Sequence, residues 1–328
     1  MLDPAIAAVR LAVREALQPF AESGATILVA LSGGADSLAL AAAAAHEARG
    51  LGLGIAAVTV DHGLQPGSAE VAERAAAQAR GLGIPDARVA RVEVGTDGGP
   101  EAAARTARYA AISRAASETG AAAVLLGHTL DDQAETVLLA LARGAGAGSL
   151  QGMAPRRIDE RGLAWERPLL GLRRAETRAF CAAAGIEAWE DPHNSDERFG
   201  RVRVRETVLP VLERELGPGI ADALARTAEQ LREDNEAFAD MIDETIEDIV
   251  EHAEAGIAIS VAALAANPAA IRNRIIRHVA ASEFDASLTR RHTLEIARLV
   301  TDWRGQGPID LPGFAATRRG ALIVLTAR

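Results

Sequence analysis

The chain has 328 residues, of which 49% are apolar, and a formal net charge of −10; this length and apolar content predict two or three packed domains and exclude wholesale disorder. It contains a single cysteine, Cys181, which excludes an intrachain disulfide and a cysteine-built metal centre. It contains no lysine, which excludes a Walker A loop and Schiff-base chemistry on lysine. No apolar segment is long enough to span a membrane and the N-terminus lacks a signal-peptide layout, so we expect a cytoplasmic protein without a membrane partner.

Four β-rich apolar runs alternate with alanine-rich helical patterns in the first part of the chain. We predict strands at 25–31, 53–60, 87–94 and 121–127, and helices at about 35–50, 68–82, 101–119 and 131–142. Strands separated by helices of this length imply right-handed crossovers and a parallel sheet covered on both faces. Ligands of such sheets bind beyond the carboxyl ends of the strands, which selects four loops: SGGADS, DHGLQPGS, TDGGP and GHTLDDQAE.

The pattern changes after Arg143, where a glycine-rich segment and a polar, arginine-rich connection follow. From about residue 217 the pattern is helical, through an acidic stretch at 233–254 with ten Asp and Glu and a basic helix, IRNRIIRHVAA, and the last 20 residues alternate like a hairpin. Outside the acidic stretch 35 acids balance 35 arginines, so the net charge does not decide for or against an RNA partner. We predict a Rossmann-like α/β domain at residues 1–215, followed by a smaller, mainly α-helical domain at 216–328.

The SGGADS loop joins a strand to a helix through two glycines. Gly33 and Gly34 leave backbone N–H groups uncovered at a helix N-terminus, where free donors and the helix dipole suit a phosphate. Ser32 and Ser37 can add hydroxyl donors, but Asp36 repels phosphate unless a cation intervenes, and a magnesium ion resolves this conflict. The alternative is that these residues merely cap a helix.

The GHTLDDQAE loop places His128 at a strand end and three acids at the start of the next helix. Asp132 and Glu135 are three residues apart and therefore share one helix face, where they could jointly hold a metal ion or an ammonium group. Acids in a first turn also favour a helix N-terminus, so capping explains one of them. Three acids and a histidine exceed what capping requires.

Two further pairs face the same predicted edge. Asp61 and His62 begin DHGLQPGS at a strand end, and an ordinary turn explains them equally well. Arg105 and Arg108 share a helix face, either as ligand clamps or as solvated surface residues. Because all of these loops open on one edge of one sheet, their convergence favours a ligand site.

SGGADS matches the SGGxDS signature of the PP-loop ATP pyrophosphatases, and further stretches narrow this resemblance. They are VDHGLQPGSAE, PEAAARTARYAAI, GHTLDDQAETVLLALARGAG, LQGMAPRR, RPLLGLRR and WEDPHNSDERFGRVRVR. In this order, over residues 27–205, they resemble the tRNA(Ile)-lysidine synthetase family. SGGxDS alone fits many PP-loop enzymes, whereas DHGL followed by HxxDDQAET and then EDPxN is much more specific.

The resemblance implies a PP-loop (adenine nucleotide alpha hydrolase-like) fold and an ATP-dependent ligase. Members of the family modify the wobble cytidine (position 34) of tRNA(Ile) with a CAU anticodon. ATP adenylates the C2 oxygen of that base, and the ε-amine of free lysine then displaces AMP to give lysidine. The codon read changes from AUG to AUA. The expected cofactors are therefore ATP and Mg²⁺, and the expected partners are tRNA(Ile) and free L-lysine.

The same resemblance, together with the charge argument for Asp36, assigns roles to residues of the loops. Asp36 would hold the metal, Asp132 and Glu135 the lysine ammonium group, and Arg105 the ATP or the displaced phosphate. The residues expected to be catalytic are Asp36, Arg105, His128, Asp132 and Glu135. The residues expected to bind ATP are Ser32, Gly33, Gly34, Ala35, Asp36, Ser37, Asp61 and His62.

Binding of tRNA is expected from two groups of arginines. The RNRIR stretch of the family reads RVRVR here, with Val202 in place of asparagine, but Arg201, Arg203 and Arg205 still supply basic groups. The chain resembles the shorter type of family member, so we expect its helical domain to hold the tRNA. Residues 268–328 contain ten arginines against five acids, and a phosphate-binding face is predicted there. Its members are Arg272, Arg274, Arg277, Arg290 and Arg291, of which the first three are the residues expected to bind tRNA.

Other functions compete with this interpretation. The runner-up is another PP-loop tRNA-modifying enzyme, such as a cytidine thiolase. Those enzymes generally use cysteines, and Cys181 is predicted to lie in a helix far from the loops, which argues against sulfur chemistry. A nucleotide-binding regulator without catalysis would bind ATP and release no diphosphate. The sequence leaves open whether the chain forms a homodimer, as relatives do, and which residues reject tRNA(Met).

Overall fold

The chain divides into two units, Met1–Arg232 and Glu233–Arg328, in the computed structural model. The structure describes residues 2–21, 23–63, 67–95, 99–190, 196–253 and 256–328. Within these ranges no helix is both long and apolar enough to cross a bilayer. The boundary near residue 215 between the predicted α/β domain and the predicted tRNA-binding domain stays a prediction.

Six strands of the first unit form one mostly parallel sheet. They are β1 (Thr26–Leu31), β2 (Gly54–Asp61), β3 (Asp86–Arg91), β4 (Ala121–Leu125), β5 (Arg156–Ile158) and β6 (Ala164–Glu166). The spatial order is β3-β2-β1-β4-β6-β5, and among these pairs β5 alone runs antiparallel to its neighbour. The chain steps from β1 to β2 and β3 and then returns to β4 on the other side of β1. The strand order therefore reverses between β1 and β4.

The first unit contains ten helices within the described residues, and the tenth continues into the second unit. They are α1 (Pro4–Leu17), α2 (Ala35–Gly50), α3 (Ser68–Gly81), α4 (Pro100–Thr119), α5 (Leu130–Ala142), α6 (Ala147–Leu150), α7 (Arg174–Ala183), α8 (Gly200–Arg203), α9 (Leu209–Leu216) and α10 (Ile220–Ile249). Short 3₁₀ turns occur at Gln18–Phe20 and Pro168–Gly171, and a π-helical turn at Val204–Val208.

Both faces of the sheet are covered. Side chains alternate along β1, so Ile27 and Val29 join an apolar cluster with α1, α2, α3 and α7, whereas Leu28 joins another with α4. Most of α2 is buried, which its alanines permit because small side chains allow helices to pack closely.

The four predicted strands and the four helices that follow them are confirmed to within a few residues, and the helix expected around Cys181 is α7. Helix α1 and the three-residue strands β5 and β6 were not predicted. The two strands are too short to show a clear alternation in the sequence. The predicted parallel sheet with helices on both faces is therefore correct.

The second unit combines helices with an antiparallel sheet. Its helices are α11 (Val261–Ala266), α12 (Ala269–Phe284) and α13 (Arg290–Thr301), and its strands are β7 (Val250–Ala253), β8 (Gly256–Ser260), β9 (Ile309–Leu311), β10 (Phe314–Arg319) and β11 (Leu322–Ala327). The strand order is β7-β8-β11-β10-β9. The predicted C-terminal hairpin is β10–β11, and much of the unit is helical as predicted. The expectation of unbroken helices from residue 217 was wrong at 250–260, where GIAIS alternates with the period of a strand.

Candidate active site

A cavity of about 1400 Å³ opens at the carboxyl ends of β1, β2 and β4. This edge includes the point at which the strand order reverses, which is where open α/β sheets bind ligands. The cavity walls come from SGGADS, DHGLQPGS and GHTLDDQAE, together with α4, α7 and residues of the segment 199–206. Three of the four predicted loops are thus brought together. Residues 64–66 of DHGLQPGS and 96–98 of TDGGP lie outside the described residues.

The SGGADS loop leaves helix α2 without a side-chain cap. Gly33 has a φ of 84°, and a Cβ atom there would lie 3.3 Å from the Cβ of Ala75, so both the turn and the approach of α3 favour glycine. The N–H and hydroxyl of Ser32 donate to Oγ of Ser37, each at 3.1 Å, and that hydroxyl donates to the Gly34 carbonyl at 2.9 Å. No side chain caps α2 at Gly34, so its first amides can receive an anion.

Asp36 is held by two residues of α7. Thr177 donates its hydroxyl to one carboxylate oxygen, and Nε of Arg174 lies 3.5 Å from the other. Burial raises the pKa of Asp36, while the hydrogen bond from Thr177 and the charge of Arg174 oppose that rise. The carboxylate lines the cavity beside the open amides, a position in which it can share a cation with a phosphate.

Two acids of GHTLDDQAE have capping roles. Asp131 accepts the backbone N–H of Arg174 at 2.7 Å, which ties α7 to α5. Asp132 accepts the N–H and the hydroxyl of Thr129 at 2.9 and 3.1 Å, and its other oxygen lies 2.9 Å from Nη2 of Arg174. Burial raises the pKa of Asp132, but Arg174 and the Thr129 amide outweigh burial and hold it below its usual range. Capping therefore explains part of the role of both acids.

Glu135 is fully buried and ion-paired with arginines. Arg205 contacts both of its oxygens, with Nε at 2.7 Å and Nη2 at 3.1 Å. Nη2 of Arg174 lies 3.3 Å away, and Nε of Arg201 lies 3.9 Å away. These guanidinium groups already neutralise the acidic face that the sequence predicts, so an ammonium group binds there only by exchange with an arginine.

His128 is neutral at neutral pH. Burial, assisted by neighbouring arginines and opposed by Asp132, lowers the pKa of His128 to about 3. Its Nδ1 is buried and has no hydrogen-bond partner among the described residues. The preceding residue, Gly127, packs against the start of α2, where a Cβ atom would lie 3.3 Å from the Asp36 backbone. The imidazole is thereby held next to SGGADS.

Helix α4 contributes a cationic wall. The guanidinium groups of Arg105 and Arg108 lie over the ring of Tyr109, at 4.9 and 5.7 Å from its centre. Burial lowers the pKa of Arg108, and the like charges of Arg105 and Arg201 lower it further. Positive groups that destabilise one another in this way favour a bound anion.

Asp61 and His62 have different environments. Asp61 is buried and accepts the N–H of Gly63 at 2.9 Å; a hydrogen bond from Ser68 lowers its pKa, although burial opposes this. The turn interpretation therefore describes Asp61 well. His62 lines the cavity, burial lowers its pKa, and its buried Nδ1 lacks a partner within the described part of the chain.

Comparisons with known proteins agree with this geometry. The family model described as "PP-loop domain" matches residues 8–212, and the one described as "TilS substrate binding domain" matches residues 259–323. A tRNA(Ile)-lysidine synthase of Leifsonia xyli subsp. xyli is 59% identical over 301 residues, which cover 92% of this chain and 89% of the relative. That of Thermobifida fusca is 50% identical over 325 residues, 98% of each chain. The chain belongs to the tRNA(Ile)-lysidine synthase family.

A solved structure supports the fold assignment. The U34-tRNA thiolase NcsA from Methanococcus maripaludis is similar with a TM-score of 0.60 and 20% identity, over 70% of this chain and 80% of that chain. At this identity the likeness shows the fold alone. The PP-loop architecture expected from SGGADS is therefore confirmed by both sequence and structure.

The lysidine synthase site includes residues of α7 and its surroundings that the sequence argument did not single out. Arg174 ends the RPLLGLRR stretch, which carried part of the family resemblance but no assigned role. Thr177 belongs to no motif and gave no signal. Trp189, which lines the cavity, donates its backbone N–H to the carbonyl of Gly33 at 2.9 Å. The adjoining EDPxN residues Asp191, Pro192 and Asn194 lie outside the described residues.

Cys181 lines this cavity, so the prediction that it lies far from the loops was wrong. Its thiol donates to the carbonyl of Ala35 at 3.4 Å, because α7 packs against α2. Burial, with a further contribution from Asp36, raises the pKa of the thiol to about 11. A thiol with this pKa remains protonated at neutral pH and is a weak nucleophile.

The RVRVR stretch divides its arginines between two environments. Arg201 and Arg205 line the cavity, and Arg201 also donates to the hydroxyl of Thr136 at 3.2 Å. Arg203 is exposed and donates to the carbonyls of residues 197 and 198. Val202, where the RNRIR pattern of the resemblance leads us to expect asparagine, is buried, so this position is apolar and packed here.

Three arginines predicted to bind tRNA lie on α12 of the second unit. The guanidinium of Arg274 lies 4.1 Å from the ring centre of Phe238. Burial lowers the pKa of Arg277, and the charges of Arg274 and Arg290 lower it further. Arg272 donates to a carbonyl at the preceding turn. Positive charge therefore gathers along this helix.

Proposed function

We propose that the chain joins lysine to C2 of the wobble cytidine (position 34) in tRNA(Ile) with a CAU anticodon, with conversion of ATP to AMP and diphosphate. The observation that carries this proposal is the meeting of SGGADS and GHTLDDQAE in one cavity, in a chain of the tRNA(Ile)-lysidine synthase family. The product is lysidine, which reads AUA instead of AUG. This reaction takes place in the cytoplasm.

ATP binds at the SGGADS end of the cavity. The amides of Gly33, Gly34 and Ala35 and the hydroxyls of Ser32 and Ser37 receive phosphate oxygens. Arg105 on α4 adds positive charge for the transferring phosphoryl group, with His62 nearby on the same wall.

Asp36 fits a single-carboxylate Mg²⁺ site. Within the described part of the chain, no three His, Cys, Asp or Glu side chains gather closely enough to hold a metal ion alone. Mg²⁺ commonly takes one or two carboxylates and fills its remaining positions with phosphate oxygens and water. When bound, the ion neutralises charge that develops on the phosphates. Asp36 both holds it and balances its charge.

Lysine binds at the acidic face of α5. Asp132 and Glu135 receive its ammonium group, and this requires one of their arginine partners to move. One of these carboxylates takes a proton from the ε-ammonium group, and the neutral amine then attacks C2 of the adenylated cytidine. A C–N bond forms, the C–O bond to the phosphate oxygen breaks, AMP leaves with the bonding electrons, and the second proton of the amine passes to solvent. His128, which is neutral, acts as a hydrogen-bond partner of the reacting groups.

The tRNA is held by both groups of arginines. Arg201 and Arg205, which line the cavity, face the incoming base, and Arg203 lies outside on the same segment. In the second unit, Arg272, Arg274 and Arg277 contact backbone phosphates. Whether two copies of the chain assemble on the tRNA is a separate question that size-exclusion chromatography answers.

The test is incorporation of labelled L-lysine into a tRNA(Ile) transcript with a CAU anticodon, with ATP and Mg²⁺, beside a transcript with uridine at the wobble position. We expect incorporation with cytidine alone, and loss of diphosphate release with Asp36→Asn. Diphosphate release without lysine incorporation would contradict the proposal in favour of another PP-loop tRNA-modifying enzyme. ATP binding without diphosphate release would favour a regulator.

A further inference from the structure

Arg174 connects the two halves of the site through three carboxylates. Its Nε lies 3.5 Å from Asp36 in the SGGADS loop. Its Nη2 lies 2.9 Å from Asp132 and 3.3 Å from Glu135, both in helix α5. The side chain is only 16% exposed, so the guanidinium spans the short distance between the ATP end and the acidic end of the cavity.

The contacts of Arg174 differ in kind from those of Arg205. Arg205 grips Glu135 with two nitrogens on two oxygens, the aligned arrangement that is strongest for an arginine–carboxylate pair. Arg174 instead makes one contact to each of three carboxylates, and none of them is two-pronged. Arg205 also lies 3.5 Å from Asp132, so both arginines contact both acids of α5, but of the two it is Arg174 that makes no two-pronged pair and also contacts Asp36 at the SGGADS end.

The charges of Asp132, Glu135 and their arginine partners determine when an ammonium group can bind. Asp132 and Glu135 face Arg174 and Arg205, with Arg201 farther away at 3.9 Å from Glu135, so an ammonium group meets no net attraction while these arginines stay. If Arg174 turns to a phosphate, Asp132 loses its partner at 2.9 Å and keeps Arg205 at 3.5 Å, so its carboxylate becomes the less neutralised of the two acids. A phosphate at SGGADS is near enough to attract Arg174, because the guanidinium already contacts Asp36 in that loop.

We propose that Arg174 orders substrate binding: it occupies the acidic face of α5 until nucleotide phosphates draw it away, and lysine binds afterwards. This inference rests on the proposed function, because it takes Asp132 and Glu135 as the lysine site. Arg174 is a positioning residue, since it acts through these two acids. It keeps free lysine out of a site that holds no nucleotide.

The test is calorimetric titration of L-lysine into the full chain, without nucleotide and with α,β-methylene-ATP and Mg²⁺, which occupy the ATP end without reaction. For the unaltered chain we expect at least tenfold tighter lysine binding with the nucleotide than without it. For Arg174→Gln we expect lysine to bind equally well in both conditions. Arg174→Lys keeps the positive charge and should retain part of the nucleotide requirement.

Arg173→Gln is the matched control. Arg173 neighbours Arg174 in sequence but pairs with Asp131 and Asp222 and does not line the cavity, so the nucleotide requirement should persist. Equal lysine affinity of the unaltered chain with and without nucleotide overturns the inference, and so does an Arg174→Gln chain that still requires nucleotide. Failure of the proposed function is seen separately, as absence of labelled lysine in the tRNA.

Discussion

Arg205, which lines the cavity, and the buried Glu135 behind it form a two-pronged ion pair, with Nε–Oε1 at 2.7 Å and Nη2–Oε2 at 3.1 Å. The carboxylate is fully buried, and the pair joins α5 to the segment that carries RVRVR. A buried charge whose partner is removed is much less stable than an intact pair, because nothing compensates its loss of hydration. This pair therefore shapes the site as well as the charge within it.

Breaking this pair should destabilise the first unit. We expect Arg205→Met to lower the free energy of unfolding by about 3 kcal/mol, and Glu135→Gln to act in the same direction. The double variant should lose less than the sum of the two, by roughly 1–3 kcal/mol. Urea unfolding followed by tryptophan fluorescence measures each value.

Arg198→Gln is a suitable control, because Arg198 is 84% exposed and pairs with Asp196 at the surface. Its urea midpoint should not change measurably. Strict additivity of Arg205→Met and Glu135→Gln would show that the two side chains do not stabilise one another.

His128 should make the fold sensitive to acid. Its pKa is about 3 in the folded chain and 6.5 in the reference state, so the unfolded chain binds the proton more readily. The stability linked to His128 is thus complete above pH 6.5 and falls as the pH drops from 6.5 toward 3, by up to about 1.4 kcal/mol per pH unit. His128→Gln should remove this contribution, seen as a smaller stability loss between pH 6.5 and 4.5.

The control for this pH series is His46→Gln, since His46 is exposed on α2 and does not line the cavity. If His128→Gln follows the unaltered chain at every pH, folding does not shift the pKa of the imidazole. It would then be available as an acid, contrary to the role proposed above.

The features that the sequence predicts well are those written in local patterns. Strands β1 to β4 and the helices between them follow from alternation and helical spacing, and the parallel crossovers bring SGGADS and GHTLDDQAE to one edge. The partners of the acids could not be predicted in this way. Arg174 and Thr177 come from a segment about 140 residues after Asp36, and no local pattern reports a contact across that separation.

The acids of GHTLDDQAE show how a local pattern can mislead when the partners of its residues are distant in the sequence. Three acids in one turn exceed what capping requires when the turn is considered alone, which suggests a ligand. In the fold, Asp131 binds the N-terminus of α7 and Asp132 binds Thr129. Glu135 binds Arg205. Much of the negative charge is therefore paired with groups of α7 and of the RVRVR stretch, which lie far from GHTLDDQAE in the sequence.

Cys181 should be dispensable for the reaction despite its place in the cavity wall. Its protonated thiol is a poor nucleophile, so Cys181→Ser should keep lysidine formation within about threefold while preserving a donor toward Ala35. Iodoacetamide should label the native chain far more slowly than the urea-unfolded chain. Loss of tRNA modification in Cys181→Ser with ATP binding intact would instead favour a sulfur-transfer enzyme.

The arginines of α12 should set the salt dependence of tRNA binding. Each arginine–phosphate contact releases counterions, so replacing Arg272, Arg274 and Arg277 by Gln should reduce the slope of log affinity against log salt by about 0.7–0.9 per contact. Filter binding at salt concentrations between roughly 50 and 200 mM, where such slopes are steep, measures this slope. We expect the slope to fall to about half if these contacts are half of the total.

A control variant, in which three other arginines of the same unit are replaced, distinguishes binding by the α12 face from an effect of total charge. Arg298, Arg304 and Arg328 lie in the same unit, but each contacts an acid, Asp302 or Asp310. Their replacement by Gln removes the same charge from side chains that are already paired with acids, so the salt slope should change little. Equal slopes for the two triples would mean that the tRNA responds only to net charge. In that case α12 carries no specific phosphate contacts, and the tRNA is held by other residues.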